Sequence, residues 1–238
     1  FVFPLWVFAV VVSGFILLGL LEFFTMIRQR GVLVHRPLAM FLGTVFVALV
    51  SWRSFIEPGL MPGISIGPAT TAVSWMWDVF WPAAIFIVFI RQFTRDNTFE
   101  ALSGIATTLF GLAYVGVLLS YLFYIRAIDA HQGAWLVCFL ILVTKMGDAG
   151  AYLLGNLIGR HALTPRISPK KTWEGFAGAV IVSAITAFAA RGMLGAPMGP
   201  MTALALGAVL GVVGQLGDLS ESLIKRDCQV SDTSALMP

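Results

Sequence analysis

Long apolar runs separated by short polar segments dominate the chain. Seven of these runs have the length and composition of membrane-spanning helices: residues 2–21, 37–52, 69–90, 102–125, 133–154, 175–190 and 201–217. The first run contains no charged residue, and as a helix it would measure about 30 Å, the thickness of the hydrocarbon core. The pattern therefore predicts an all-α fold, a polytopic transmembrane bundle of about seven spans.

The composition supports a membrane protein rather than a soluble one. Of the 238 residues, 58% are hydrophobic and 11% are charged, which is about half the charged fraction of a soluble domain. We therefore expect one membrane domain, 1–238, with N-terminal spans in residues 1–130 and a catalytic half in residues 131–238. Neither Cys138 nor Cys228 has metal-ligand spacing around it, so we expect no disulfide and no zinc site.

The basic residues predict how the chain is oriented in the bilayer. Most of them follow the odd-numbered spans: Arg28, Arg30, Arg36, Arg91, Arg95, Arg160, Arg166, Lys170, Lys171, Lys225 and Arg226. The other connections hold only Arg53, Arg126 and Arg191. Because Lys and Arg accumulate in cytoplasmic loops, we expect an outside N-terminus and a functional face toward the cytoplasm, in a bacterial cytoplasmic (inner) membrane. The small net charge of +3 then reflects orientation, and nucleic acid is not an expected partner.

The fifth span carries two charged residues, Lys145 and Asp148. A charge at that depth is costly and is usually functional. At 3.6 residues per turn, Tyr152 and Asn156 fall on the same helical face, which predicts a polar cavity beside this helix. A self-neutralising pair at i, i+3 is the structural alternative.

A second polar feature follows the seventh span, in residues 217–227. As a helix, this segment places Asp218, Glu221, Ser222 and Lys225 in one stripe. Carboxylates and a hydroxyl suit a hard cation such as magnesium, which often takes one or two carboxylates and substrate phosphates. An amphipathic interfacial helix would explain the same stripe.

The polar loop 164–174 is the third feature. It offers Arg166, Lys170, Lys171 and several hydroxyls as donors to a polyphosphate, although cytoplasmic lysines also serve as topology signals or contacts to anionic lipid. All three features are assigned to one membrane face. Together they predict an embedded enzyme that handles a nucleoside triphosphate and a lipid phosphate.

Three segments, residues 147–152 (GDAGAY), 168–175 (SPKKTWEG) and 217–227 (GDLSESLIKRD), resemble the phosphatidate cytidylyltransferases, also called CDP-diacylglycerol synthases. The resemblance covers roughly residues 140–238 in order and spacing. It implies transfer of a cytidylyl group from CTP to phosphatidic acid, giving CDP-diacylglycerol and pyrophosphate in the lipid bilayer. It further implies a Mg2+ cofactor, with room for a second cation, and a homodimer.

The resemblance also implies roles for individual residues. Asp218 would be the metal ligand and would act in catalysis with Asp148, Lys225 and Arg226. The implied substrate-binding residues are Ser168, Lys170, Lys171, Thr172, Glu174, Glu221, Ser222 and Asp227. The family pattern continues, after a segment like residues 230–238, into a Gly-His-Gly-Gly stretch and an Asp-Arg-x-Asp motif, so we expect the sequence to be truncated before that motif.

Other functions are compatible with parts of this pattern. A CTP-dependent polyprenol or phytol kinase would use similar apparatus but attack the γ-phosphate with a lipid alcohol. An ion-coupled transporter could use Asp78, Lys145 and Asp148 as intramembrane relays. An intramembrane aspartyl protease fits less well, because Gln215 occupies the first glycine position of its Gly-x-Gly-Asp signature.

Overall fold

The computed structural model describes residues 4–32, 34–56, 71–94, 100–128, 132–194 and 198–229. Contacts within the chain divide it into two compact units, Phe1–Ala130 and His131–Pro238. The segment 230–238, after which we expect the family motif, lies outside the described residues.

The N-terminal unit is helical where it is described. Its helices are α1 (Leu5–Gln29), α2 (Arg36–Ile56), α3 (Thr71–Phe93), α4 (Ala101–Gly111) and α5 (Leu118–Ala127), with a single π-helical turn, Leu112–Val117, joining α4 to α5. Large apolar side chains from α1, α2 and α5 fill its core, including Leu20, Phe46 and Phe123. Helix α1 stops where Gly31 adopts a left-handed φ of 88°, a conformation that only glycine takes without cost.

The C-terminal unit contains three long helices and a small hairpin. Its elements are α6 (Gln132–Ile158), β1 (Ala162–Thr164), β2 (Ser168–Thr172), α7 (Trp173–Ala190), a 3-10 turn (Arg191–Leu194) and α8 (Pro200–Asp227). The helices approach closely because glycines lie where they cross. A Cβ added to Gly150 would come within 2.6 Å of Val182 Cβ and 2.9 Å of the Gly178 carbonyl oxygen. Small residues at crossings are the usual means of close packing in membranes.

The helices agree with the apolar pattern of the sequence. Each of the seven predicted runs coincides with a helical segment. In the described part of the chain, six helices are long and apolar enough to cross a bilayer, and α3, which contains Asp78 and Pro82, is not among them. Many large apolar side chains on these helices are exposed, Phe41 and Leu157 among them, as expected of surfaces that face lipid. The chain is an integral membrane protein with an all-α membrane part.

The polar segment after the fifth span differs from the prediction of a loop. Strands β1 and β2 pair antiparallel across a tight turn, in which the Ile167 N–H donates to the Thr164 carbonyl oxygen at 3.1 Å. Pro165 occupies the second position of this turn, where its fixed φ is favourable. The predicted helix at residues 217–227 is confirmed as the end of α8, which runs without a break from Pro200.

The close crossing of α7 and α8 at Gly207 yields a stability prediction. Replacing Gly207 with alanine should destabilise the protein by about 1–3 kcal/mol, the usual cost of overpacking. Its new Cβ would lie 2.6 Å from the Ser183 carbonyl oxygen, which as backbone cannot move aside easily. Thermal unfolding in detergent would measure the change. Gly14→Ala is the matched control, because a Cβ at Gly14 meets no atom within 4 Å; an equal Tm for both variants would contradict the packing account.

Candidate active site

A polar cleft of about 640 Å³ opens in the C-terminal unit between α6, β2, the start of α7 and α8. Six charged residues line it: the carboxylates Asp148, Asp218 and Glu221, and the lysines Lys145, Lys170 and Lys171. All six belong to the three polar features of the sequence: the fifth span, the segment 164–174 and the segment 217–227. The fold thus brings stretches about 70 residues apart to one cavity with charges of both signs.

The hairpin carries its two lysines to the cleft because both of its ends are anchored. Thr172, the last residue of β2, caps α7: its Oγ1 accepts a hydrogen bond from the Gly175 N–H at 3.1 Å. This is the usual role of a threonine at a helix N-terminus. The cap sets the direction in which the strand meets the helix, so the preceding Lys170 and Lys171 face the cleft.

Glu174 fastens the other end of the hairpin segment. Its Oε2 accepts from the backbone N–H groups of Arg160 at 3.2 Å and His161 at 3.3 Å, and its Oε1 lies 2.6 Å from His161 Nδ1. The carboxylate therefore ties the segment that follows α6 to the first turn of α7. Glu174 is not among the residues that line the cleft; it supports the hairpin that supplies them.

An ion pair links the hairpin to α8 across the cleft. Lys171 Nζ lies 2.7 Å from Asp218 Oδ2. The lysine side chain is 18% exposed and the aspartate 51% exposed, so the ammonium is largely withdrawn from solvent while the carboxylate still reaches the cleft. A partly buried charge is screened less than a surface charge, so the attraction between Lys171 and Asp218 is stronger than that of a fully exposed pair.

On α6, Lys145 and Asp148 pair with each other at 3.2 Å. The structural alternative, in which these two charges neutralise each other, is therefore correct about this contact. Both residues nevertheless line the cleft, and Tyr152 and Asn156 do so as well. The predicted polar face of this helix is confirmed by that arrangement.

Several predicted site residues lie beside the cleft rather than in its lining: Ser168, Ser222, Lys225, Arg226 and Asp227. Lys225 Nζ is 2.6 Å from Glu221 Oε1, and the Ser222 hydroxyl donates to the Asp218 carbonyl oxygen at 2.8 Å. Arg226 Nε donates to the Ile167 carbonyl oxygen at 3.3 Å, so it contacts the turn of the hairpin. The Arg226 bond connects the end of α8 to the hairpin, and the other two contacts lie within α8 itself.

Sequence reasoning gave no site role to several lining residues, Thr144, Phe176 and Gln215 among them. Gln215 is 5% exposed and lines the cleft one helical turn before Asp218. Gln215 follows three small residues spaced four positions apart, Ala203, Gly207 and Gly211, and all four are buried on one face of α8. This spacing is the signal in the sequence that could have identified it. A long polar side chain continuing such a row is unusual, because that row faces another helix.

The carboxylates of the cleft are the kind of oxygen donors that a magnesium ion takes. Among the described residues, no three His, Cys, Asp or Glu side chains form a cluster that could hold a metal alone. Asp218 and Glu221 both line the cleft, and Mg2+ is commonly bound by one or two carboxylates together with substrate phosphates. The residues therefore fit a magnesium ion whose remaining ligands would come from a bound phosphate group.

Comparison with known proteins identifies the family to which this chain belongs. The model of the cytidylyltransferase family matches residues 1–238. A phosphatidate cytidylyltransferase of Staphylococcus saprophyticus is 30% identical over 222 residues, which is 87% of this chain and 84% of the relative. Enzymes of the same name from Staphylococcus epidermidis and Staphylococcus aureus are 35% and 34% identical over 156 residues, and those matches cover 58% of each relative. The resemblance carried by the three polar segments is thereby confirmed, and the chain belongs to the cytidylyltransferase family.

Proposed function

We propose that this protein transfers a cytidylyl group from CTP to phosphatidic acid, forming CDP-diacylglycerol and pyrophosphate in phospholipid biosynthesis. The observation that carries the proposal is the cleft, in which Asp218 of α8, Lys171 of β2 and Asp148 of α6 line one cavity. A membrane-embedded cleft with cations and carboxylates suits two anionic substrates, one from water and one from lipid. The names of the relatives support the same reaction.

The reaction is an in-line displacement at the α-phosphate of CTP. The phosphate oxygen of phosphatidic acid is already anionic near neutral pH, so the nucleophile needs no general base. Repulsion between the two anionic substrates is the main obstacle. Lys170 and Lys171 oppose it by placing positive charge where the phosphates meet, which is the kind of electrostatic stabilisation that lowers such barriers.

Asp218 would hold the magnesium ion, with Glu221 on the same wall of the cleft. A bound Mg2+ would supply further positive charge to the transferring phosphate and the departing pyrophosphate. The hairpin then presents Lys170 and Lys171 from the opposite side, and Lys171 keeps the Asp218 carboxylate in place through their 2.7 Å contact. Lys225 and Arg226 act from the end of α8, where they orient Glu221 and the hairpin turn.

The proposal extends to location and assembly. Basic residues gather near the ends of the helices that form the cleft, including Arg160, Lys170, Lys171 and Lys225, which supports a cytoplasmic active site. Bacterial relatives support a bacterial cytoplasmic membrane. The family resemblance supports a homodimer, which the mass of the purified protein in detergent would test.

Identification of both products tests the reaction. Incubating the full-length protein with CTP, Mg2+ and vesicles containing phosphatidic acid should release pyrophosphate and form a cytidine-bearing lipid in equal amounts. Release of CDP with phosphorylation of a lipid alcohol would instead identify the kinase. Solute flux in sealed vesicles without nucleotide turnover would identify a transporter and refute the proposal.

A further inference from the structure

Gln215 is the most deeply buried of the polar residues that line the cleft. It is 5% exposed, and no residue in the described part of the chain forms a hydrogen bond with it. The amide nitrogen and oxygen are not among the fully buried side-chain atoms, so the residue packs inside the protein while its hydrogen-bonding end opens on the cleft. Its position at the cleft therefore indicates a group that pairs with a ligand.

Part of the α8 surface that lines the cleft carries no side chains. Gly214 and Gly217 also line the cleft, and a Cβ added to either would meet no atom within 4 Å. These two glycines therefore are not required by helix packing, in contrast with Gly207 and Gly211 on the same helix, where a Cβ would come within 3 Å of α7. The bare backbone leaves space in which a planar ring can lie against α8.

Charge distribution separates Gln215 from the phosphate-binding part of the cleft. Asp218 and its partner Lys171 lie one helical turn along α8, about 4.5 Å away at 1.5 Å per residue. Phosphates are best matched by those cations and by Lys170, whereas Gln215 is neutral. A carboxamide presents a donor and an acceptor side by side, as does the edge of a pyrimidine base, while the acyl esters of a lipid present acceptors alone.

We propose that Gln215 binds the hydrogen-bonding edge of the cytosine base of CTP, and that Gly214 and Gly217 allow the ring to lie against α8. This inference rests on the proposed function, because it assigns the base end of a cleft whose other end takes the phosphates. It makes Gln215 a residue that determines nucleotide recognition.

Inorganic triphosphate provides the test, because it carries the phosphates of CTP without the base. In the full-length protein, Gln215→Met keeps the length of the side chain and removes its hydrogen-bonding groups. We expect the KM for CTP to rise roughly tenfold, as for the loss of one or two hydrogen bonds in a buried site. The inhibition constant of inorganic triphosphate and the KM for phosphatidic acid should stay at their wild-type values.

A second variant covers the case in which Gln215→Met fails to fold. Gly217→Val places a side chain in open space, so it should fold normally and weaken CTP binding while leaving inhibition by inorganic triphosphate unchanged. Ser220→Ala is the matched control on the same helix, since Ser220 lies outside the cleft lining and its hydroxyl bonds back to the Leu216 carbonyl oxygen; it should alter none of the three constants.

The possible outcomes separate this inference from the proposed function. If wild-type protein forms CDP-diacylglycerol but both variants keep its KM for CTP, the assignment of the base is wrong and the function stands. An equal loss of CTP and inorganic triphosphate binding would place Gln215 at the phosphates, and a change confined to phosphatidic acid would place it at the lipid; either result overturns the inference. Absence of wild-type turnover would refute the proposed function itself.

Discussion

Replacing Asp218 with asparagine should lower CDP-diacylglycerol formation by roughly 10²–10³-fold, the range observed when one group that stabilises transition-state charge is removed. The substitution keeps the size of the side chain but removes the negative charge that would hold magnesium. It also leaves the Lys171 ammonium, 18% exposed and 2.7 Å from Asp218, without its counter-ion. Turnover of CTP by purified protein in vesicles containing phosphatidic acid measures the effect.

Asp78→Asn is the control for this experiment. Asp78 is exposed on α3 in the N-terminal unit, outside the cleft, so its loss should leave CTP turnover unchanged. Both variants should insert into membranes at wild-type levels. Near-normal turnover by Asp218→Asn would contradict a metal role for this residue, and a large loss in Asp78→Asn would favour the relay mechanism of a transporter.

Replacing Lys171 with methionine should lower turnover by about 10²-fold, whereas Lys170→Met should cost clearly less. The two lysines are adjacent in β2 and both line the cleft, which makes them a matched pair. Lys170 is exposed, so solvent and salt screen its charge, while Lys171 is partly buried beside Asp218 and is screened less. Steady-state kinetics on both variants at two salt concentrations would measure the difference.

The ion pair between Lys171 and Asp218 can be tested with a double variant. If Lys171 acts partly by holding the Asp218 carboxylate, the double variant Lys171→Met, Asp218→Asn should lose less activity than the product of the two single losses, since residues in contact couple. Equal losses in Lys170→Met and Lys171→Met would show that burial does not distinguish the two lysines. That result would contradict the role given to the contact.

The helices were predictable because a bilayer imposes a simple rule on sequence. Every backbone polar group in the hydrocarbon core must be paired internally, so a long apolar run is a helix with few exceptions. The runs at residues 102–125 and 201–217 accordingly fall inside the observed helical segments. The hairpin was not predictable in the same way, since strands of three and five residues, one of them containing Pro169, carry almost no period-2 signal.

Tertiary contacts explain why the hairpin forms nonetheless. Glu174 accepts hydrogen bonds from residues 13 and 14 positions earlier, and Arg226 reaches the Ile167 carbonyl oxygen from 59 positions away. Neither contact follows from local propensity. Short polar strands of this kind depend on such bonds, because they bury little apolar surface of their own.

The membrane-spanning helices, the polar segments that bear the chemistry and the faces that their side chains share all follow from the order of the residues, because helical periodicity is a local property. Packing in three dimensions was needed to show that Lys171 rather than Lys170 pairs with Asp218, that Glu174 supports the hairpin, and that Gln215 lines the cleft. These facts depend on how closely α6, α7 and α8 approach at their glycines. The distance and angle between packed helices arise from contacts among residues far apart in the chain, which no local pattern records.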